Sequence, residues 1–288
     1  MPALIQAMRP GHWVKNLLVF APILFAQLAD DGALLVRVAI AFAAFCAASA
    51  AVYLINDVVD READRLHPVK RARPIASGRL SAGAALLAAT LLVVGAMAAA
   101  HALSWTTLAI TAAYLGSQLA YSLLIKRVAV LDVMTIAAGF LLRAWVGSAA
   151  IEVPMSRWLV LCTGLLALML GFIKRRQELV SWRRAREQRP SLADYSPAFL
   201  DQAIGICSAC TVLAYTLYVF SEETAAKFGT PYMGATLPFV VYGIFRYLQL
   251  MHRDGAGESP VDLLFGDVPL AVGVVAWAGV AALVIYAT

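Results

Sequence analysis

Charged residues are scarce in this chain: Asp, Glu, Lys and Arg make up 14% of its 288 residues, whereas 61% are hydrophobic and the mean hydropathy is +0.76. Soluble domains carry about 25% charged residues, so this composition excludes that class and indicates a membrane protein. Cysteine and histidine are also rare, with four of each. The cysteines lie inside apolar stretches, which argues against a disulfide framework, and no His/Cys grouping has the spacing of a zinc site.

Long apolar stretches account for most of the sequence. A helix needs about 20 apolar residues to cross about 30 Å of hydrocarbon. Nine such stretches lie near residues 16–34, 35–56, 82–103, 105–125, 130–151, 157–174, 202–221, 234–251 and 268–287. We therefore predict an all-α polytopic membrane protein with about nine transmembrane helices, in which residues 1–288 form a single integral membrane domain. Five glycines inside these stretches are expected at close contacts between helices: Gly116, Gly139, Gly147, Gly164 and Gly171.

Basic residues are divided unevenly between the two sides of the predicted spans. Of the 23 Lys and Arg, 19 lie on one side, Arg37, Arg157 and Lys227 lie on the other, and Arg143 lies inside a span. The positive-inside rule makes the richer side cytoplasmic. We expect a bacterial inner-membrane protein with a cytoplasmic N-terminus, capped by cytoplasmic loops near residues 57–81 and 174–201. No nucleic-acid-binding motif is present.

The most informative motif directly follows the second apolar stretch. Asp57, Asp60 and Asp64 are spaced i, i+3, i+7, which places them on one face of a helix, and Lys70 and Arg73 follow. Mg²⁺ binds one or two carboxylates and completes its shell with phosphate oxygens, while cations neutralise a departing diphosphate. The motif predicts a cytoplasmic Mg²⁺–diphosphate site with the three aspartates as catalytic metal ligands. A solvated charged loop is the general alternative for a charge run.

Other polar residues near the predicted cytoplasmic boundary are candidates for substrate contact. Arg143 is set apart because a guanidinium inside a span needs a partner, either on another helix or in a ligand phosphate. The segment from Arg9 to Asn16 is either an interfacial anchor or part of a substrate site. The predicted substrate-binding residues are Lys15, Asn16, Asn56, Lys70, Arg73, Tyr121, Lys126, Asp132, Arg143, Lys174 and Glu178.

These residues resemble the UbiA superfamily of intramembrane prenyltransferases, whose first motif is N-D-x-x-D-x-x-x-D followed by a basic loop containing R-P. Residues 56–64 and the pair Arg73-Pro74 match that pattern, and Tyr121 with Lys126 resembles the Tyr/Lys element of the family. The resemblance covers nearly the whole chain. It implies nine helices around a central cavity that opens to the cytoplasm and laterally to lipid, with a Mg²⁺–diphosphate site at the cytoplasmic end.

Residues 171–178 depart from the superfamily, because cations stand where a second aspartate-rich motif is usual. Together with residues 9–16, 131–144 and 259–264, this departure resembles the decaprenyl-phosphate phosphoribosyltransferase branch. That resemblance implies transfer of 5-phosphoribose from phosphoribosyl diphosphate to a polyprenyl (decaprenyl) phosphate, with release of diphosphate, for a lipid-linked sugar donor of cell-wall arabinogalactan synthesis.

Within that interpretation we assign Lys70 and Arg73 to the donor's phosphates. We assign Lys126, Arg143 and Lys174 to the ribose 5-phosphate or the lipid phosphate, and Glu178 or Asp132 to the ribose hydroxyls. An ordinary prenyltransferase, acting on a prenyl diphosphate and an aromatic or lipid acceptor, is the first alternative. A transporter is the second, for which repeat symmetry and midplane carboxylates are expected. Polyprenyl chain length and homo-oligomerisation are left open.

Overall fold

The computed structural model describes residues 2–181, 190–254 and 266–286. In these ranges the chain forms helices and turns, and no strand. The α-helices are α1 (Ala3–Met8), α2 (Ala21–Phe25), α3 (Gly32–Val59), α4 (Arg61–Leu66), α5 (Ala82–Leu103), α6 (Trp105–Leu123), α7 (Leu131–Ala150), α8 (Arg157–Ser181), α9 (Pro197–Val219), α10 (Glu222–Phe228), α11 (Leu237–Asp254) and α12 (Val268–Tyr286). A 3₁₀ helix, Pro10–Phe20, lies between α1 and α2 and is called the N-terminal 3₁₀ segment.

Six of the described helices are long and apolar enough to cross a membrane: α3, α5, α7, α8, α9 and α12. Their outer surfaces are apolar as well. On α5, for example, Leu87, Leu91 and Val94 are exposed and share one helical face. Exposed apolar area of this kind is expected to contact lipid. The chain is therefore a multi-pass membrane protein, and the predicted all-α fold class is confirmed.

The predicted count of nine spanning helices is not confirmed. The stretch 16–34 is divided, because Pro22 lies in the first turn of the new helix α2 and the Asp31 carboxylate caps α3 by accepting from the backbone N–H groups of Ala33 and Leu34. The stretches 105–125 and 234–251 form α6 and α11. Both helices carry polar side chains, such as Gln118 and Arg246, and neither is among the six helices that are long and apolar enough to cross a membrane.

Internal contacts divide the chain into two compact units. The first contains Met1–Ile125 and Gly139–Met155, and the second contains Lys126–Ala138 and Ser156–Thr288. The four cysteines are free thiols, as the sequence predicts.

In the first unit, α3 is the central helix and packs against α5, α6 and the N-terminal 3₁₀ segment. Small residues allow close packing here. A Cβ atom added at Gly147 of α7 would lie 2.0 Å from the carbonyl oxygen of Val19, so only glycine fits at that contact without displacing the backbone. The predicted packing role of Gly147 is confirmed, whereas no atom lies within 4 Å of the Cβ position at Gly116 of α6, so the same prediction is wrong there.

In the second unit, α8 packs against α9, and α11 against α12. A Cβ atom added at Gly171 would lie 2.6 Å from Val133 Cγ1, so the predicted packing role of Gly171 is confirmed as well. The predicted loop 174–201 is wrong at both ends, since α8 continues to Ser181 and α9 already begins at Pro197. Lys, Arg, Gln and Glu are good helix formers, so the loss of hydrophobicity after residue 173 does not end the helix.

Candidate active site

The acidic motif lies at one end of α3, in the first unit. Asp57 is in the last turn of α3, Asp60 lies at the junction, and Asp64 is in α4. The prediction of one continuous helical face is therefore wrong at Asp60, although backbone N–H groups of Asp60 and Asp64 still donate to the carbonyls four residues earlier. Aspartate is a weak helix former, and like charges on adjacent turns repel, which explains an interruption at this point.

Two arginines hold the carboxylates of this motif. Arg9 Nη2 donates to Asp57 Oδ1 at 2.5 Å, and Arg73 Nη1 donates both to Asp64 Oδ2 at 2.6 Å and to Asp57 Oδ1 at 3.3 Å. Asp57 and Asp64 are only 2% and 3% exposed, whereas the two guanidinium groups are partly exposed. Buried carboxylates require such compensation.

A pocket of about 220 Å³ opens beside these ion pairs. Its lining residues are Gln6, Ala7, Arg9, Asp57, Val69, Ala72, Arg73 and Pro74. Pockets for whole drug-sized ligands measure about 300–1,000 Å³, so this pocket matches a smaller group such as a phosphoryl or diphosphate moiety. Its charged lining suits an anion together with a cation.

The residues of the acidic motif fit a divalent cation. Asp57 and Asp64 already direct oxygen atoms at one cationic nitrogen of Arg73, and two carboxylates plus phosphate oxygens are a usual ligand set for Mg²⁺. Among the residues that the structure describes, no three His, Cys, Asp or Glu side chains are grouped as a metal site. A cation at this site would replace a guanidinium group beside the two carboxylates, and phosphate oxygens of the substrate would complete its coordination shell.

Other predicted site residues of the first unit lie near the same end of α3. Asn56 accepts a 2.6 Å hydrogen bond from the Ser122 hydroxyl of α6, and Tyr121 is the neighbouring residue of that helix. Lys70 lies in the 3₁₀ turn Lys70–Ala72. His67 Nδ1 accepts from the backbone N–H groups of Val69 and Lys70, and burial together with the Lys70 charge lowers the pKa of His67. These two hydrogen bonds to a neutral imidazole hold residues 67–70 in their turn.

Arg143, also in the first unit, is 7% exposed and contacts neutral groups. Its Nε donates to Asn16 Oδ1 at 2.8 Å, its Nη1 to the Gly139 carbonyl at 2.6 Å, and its Nη2 to the Tyr114 hydroxyl at 3.0 Å. The predicted need for a partner is met by Asn16 and Tyr114 of other segments and by the Gly139 carbonyl of the same helix, but no carboxylate pairs with Arg143 in the described part of the chain. Lys15 lies next to Asn16 and is partly buried.

The second unit has its own buried network, centred on Asp132 and Arg175, both fully buried. Arg175 Nε lies 3.2 Å from Asp132 Oδ2, and Arg175 Nη1 donates to Glu178. Asp132 also accepts from the Tyr195 hydroxyl at 2.8 Å and from Ser191 at 3.3 Å. Burial raises the pKa of Tyr195, which keeps it a neutral donor. Because Asp132 is enclosed by these donors, we now propose a structural role for it rather than ribose binding.

Lys126 lies in the 3₁₀ turn Ile125–Arg127, Lys174 is exposed on α8, and Glu178 is partly exposed one turn later. Residues 259–264, which contributed to the family resemblance, lie outside the described residues. Sequence reasoning missed Arg9 as a site residue and Arg175 as the buried partner of Asp132. A signal existed for both, since each belongs to a short segment that resembles the phosphoribosyltransferase branch.

A family model described as the UbiA prenyltransferase family matches residues 17–266. The decaprenyl-phosphate phosphoribosyltransferase of Mycolicibacterium smegmatis is 35% identical to this chain, in an alignment that covers 98% of this chain and 92% of that protein. The protein of the same name from Corynebacterium glutamicum is 34% identical, with 95% and 84% covered.

Solved structures give the same picture of the fold. A UbiA homologue from Archaeoglobus fulgidus bound to GPP and Mg²⁺ superposes with a TM-score of 0.76 over 98% of this chain and 99% of that one, at 19% identity. The same archaeal protein bound to Cd²⁺ gives a TM-score of 0.72. These likenesses concern the fold, and the full-length relatives carry the information on activity.

Proposed function

The chain belongs to the UbiA prenyltransferase family, and we propose that it transfers 5-phosphoribose from phosphoribosyl diphosphate to a polyprenyl phosphate, releasing diphosphate. The observation that carries this proposal is the pairing of Asp57 and Asp64 with Arg9 and Arg73 beside a pocket of about 220 Å³ that both arginines and Asp57 line. The choice of donor is supported by two relatives of 34–35% identity that are named decaprenyl-phosphate phosphoribosyltransferase.

We propose that Asp57 and Asp64, with Asp60 directly or through water, hold Mg²⁺. When bound, this ion would neutralise charge on the departing diphosphate as a Lewis acid. Arg9, Arg73 and Lys70 would then bind the diphosphate oxygens by charge-assisted hydrogen bonds. Arg9 is an addition to the residues predicted from the sequence, because it lines the same pocket as Arg73.

In the proposed reaction an oxygen of the lipid phosphate attacks C1 of the ribose. A bond forms between that oxygen and C1 as the bond between C1 and diphosphate breaks, and the bonding electrons leave with the diphosphate. A phosphate monoester is already an anionic nucleophile, so no strong general base is needed and positioning supplies much of the acceleration. Lys126, Lys174 and Glu178 remain proposed substrate contacts of the second unit.

The distribution of basic residues supports a cytoplasmic location for the acidic end of α3 in a bacterial cell membrane. Phosphoribosyl diphosphate and Mg²⁺ would reach the site from the cytoplasm, and the polyprenyl phosphate from the bilayer.

The test is product identification with purified protein in detergent. With Mg²⁺, phosphoribosyl diphosphate and a polyprenyl phosphate, mass spectrometry of the lipid should find the mass of one added phosphoribosyl group. A prenylated aromatic or lipid acceptor, formed from a prenyl diphosphate in place of that product, would contradict the proposal and favour an ordinary prenyltransferase.

Removing a carboxylate charge from the acidic motif should abolish turnover. Asp57→Asn and Asp64→Asn keep side-chain size but each remove one of the two carboxylates proposed to hold the metal, so we expect activity to fall about 100-fold or more. Glu62→Gln is the matched control on α4, since Glu62 is exposed and pairs only with Arg65 among the contacts seen. Near-normal turnover by Asp57→Asn at saturating Mg²⁺ would refute the metal role.

A further inference from the structure

A polar stripe crosses the otherwise apolar helix α3. Cys46, Ser49, Tyr53 and Asp57 follow each other at intervals of three or four residues, so they share one helical face. The N-terminal 3₁₀ segment and the residue before it run antiparallel along this stripe. Arg9 contacts Asp57, His12 Nδ1 lies 3.3 Å from the Tyr53 hydroxyl, and Asn16 Nδ2 lies 3.3 Å from Cys46 Sγ and 3.5 Å from the Ser49 hydroxyl.

The far end of this stripe carries a buried positive charge. Asn16 and Ser49 connect to Arg143 and Tyr114, since Asn16 accepts from Arg143 and the Ser49 and Tyr114 hydroxyls lie 3.1 Å apart. The guanidinium also lies over the Tyr114 ring, 4.9 Å from its centroid. Arginine stays charged at all physiological pH values, and every partner that the structure gives Arg143 is neutral.

A buried guanidinium without a carboxylate is costly in a membrane helix and is usually retained for a function. The missing counter-charge can come from a ligand. Ser49 lies eight residues before Asp57, so the buried charge lies about 12 Å along α3 from the acidic motif at 1.5 Å per residue. Between the two ends, the Tyr53 and Ser49 hydroxyls offer neutral hydrogen-bonding groups, and the His12 ring lies beside Tyr53.

This order of groups is complementary to a phosphorylated sugar diphosphate. We propose that Arg143, with Asn16 and Tyr114, binds the 5-phosphate of the donor, while the neutral groups face the ribose and the acidic motif takes the diphosphate. The inference rests on the proposed function and adds the residue that selects the donor. A prenyl diphosphate would place an apolar chain against the charge of Arg143, which disfavours that donor.

The most specific test places a carboxylate of the protein next to Arg143, at the position proposed for the 5-phosphate. Asn16→Asp is nearly isosteric and keeps an acceptor for Arg143 Nε, so the variant should fold with an internal ion pair. Its carboxylate should then compete with the 5-phosphate. We expect the affinity for ribose 5-phosphate, measured by calorimetry in detergent with Mg²⁺, to fall about 10- to 100-fold, and the affinity for inorganic diphosphate to stay unchanged.

Arg143→Met removes the charge itself and should give the same selective loss. Arg73→Gln should do the reverse, weakening inorganic diphosphate and sparing ribose 5-phosphate. Arg157→Gln is the control, because Arg157 is exposed and pairs with Glu223; it should bind both probes as the wild type does. Unchanged ribose 5-phosphate affinity in both Asn16→Asp and Arg143→Met, or a loss confined to polyprenyl phosphate, would overturn the inference.

The wild-type protein separates failure of this inference from failure of the proposed function. If the wild type binds geranyl diphosphate but neither phosphoribosyl diphosphate nor ribose 5-phosphate, the proposed function is wrong and the inference falls with it. If the wild type binds both phosphoribosyl compounds and the variants do too, only the assignment of Arg143 is wrong.

Discussion

At the scale of single residues, Arg9 has two roles in this account. It pairs with Asp57 in the structure, and we propose that it binds diphosphate during turnover. Both roles follow from the positive charge of Arg9. Without a metal ion, the Arg9 guanidinium balances the charge of the Asp57 carboxylate. With a metal ion bound to Asp57, the guanidinium would be available to bind diphosphate. Binding of metal and of donor should therefore reinforce each other.

Arg9→Gln tests this exchange because the two ligands should respond in opposite directions. Without donor, Mn²⁺ used as a probe should bind about 3- to 10-fold more tightly, since a competing cation is gone. The KM for phosphoribosyl diphosphate should rise at the same time. Electron paramagnetic resonance of Mn²⁺ measures the first effect and steady-state kinetics the second. Weaker binding of both would show that Arg9 only supports the fold.

Arg175 should matter for stability rather than for charge at the substrate. It is fully buried with Asp132, and removing one partner of such a pair leaves an uncompensated charge. We expect Arg175→Met to lower the free energy of unfolding by about 3–5 kcal/mol, and the double change with Asp132→Asn to lower it less. Thermal unfolding in detergent measures both. A double variant as unstable as the sum of the single variants would contradict a direct coupling.

Aspartate spacing predicts the acidic cluster because carboxylates three and four residues apart must lie close on a helix, and the link of Arg73 to both Asp57 and Asp64 agrees with that. The role of Asp132 could not be predicted. Its ion-pair partner comes from α8 and its hydrogen-bond donors from residues 191–195, far away in sequence, and hydropathy says nothing about which buried charges meet.

At the scale of elements, the N-terminal 3₁₀ segment decides the geometry of the site. Arg9 directly precedes this segment, His12 and Asn16 lie within it, and all three pair with α3. Runs of 3₁₀ helix longer than three or four residues are uncommon, so the sequence pattern does not predict this one. From the sequence we therefore predicted an apolar span beginning at residue 16, and the pairing of residues 9–16 with α3 was not predicted.

The packing of the N-terminal 3₁₀ segment against α7 can be tested at Gly147 of α7. Gly147→Ala would place a Cβ atom against the Val19 carbonyl, so the segment must shift, and we expect a loss of about 1–3 kcal/mol in unfolding free energy. Gly116→Ala on α6 is the matched control, because no atom lies within 4 Å of its Cβ position. It should be neutral or slightly stabilising.

If Gly147→Ala proves as stable as Gly116→Ala, the 3₁₀ segment does not pack on α7 as described. The expected result also has a functional side. A displaced segment carries Arg9 and Asn16 with it, so Gly147→Ala should raise the KM for the donor although it touches no substrate.

At the scale of the whole molecule, composition alone predicted the class of protein. Low charge and long apolar stretches require membrane helices, and six described helices meet that requirement. The number of spans could not be read from hydropathy, because α6 and α11 carry polar residues that a helix can bury against its neighbours. The acidic motif and the family resemblance indicated the chemistry of the site, whereas its partners on the N-terminal 3₁₀ segment required the structure.

The most direct measurement compares diphosphate release from two donors by one preparation of the protein in detergent with Mg²⁺. Phosphoribosyl diphosphate is offered with a polyprenyl phosphate, and a prenyl diphosphate is offered with an aromatic acceptor. The account predicts release from phosphoribosyl diphosphate that depends on the lipid and is lost in Asp57→Asn. Release from the prenyl diphosphate alone would contradict it.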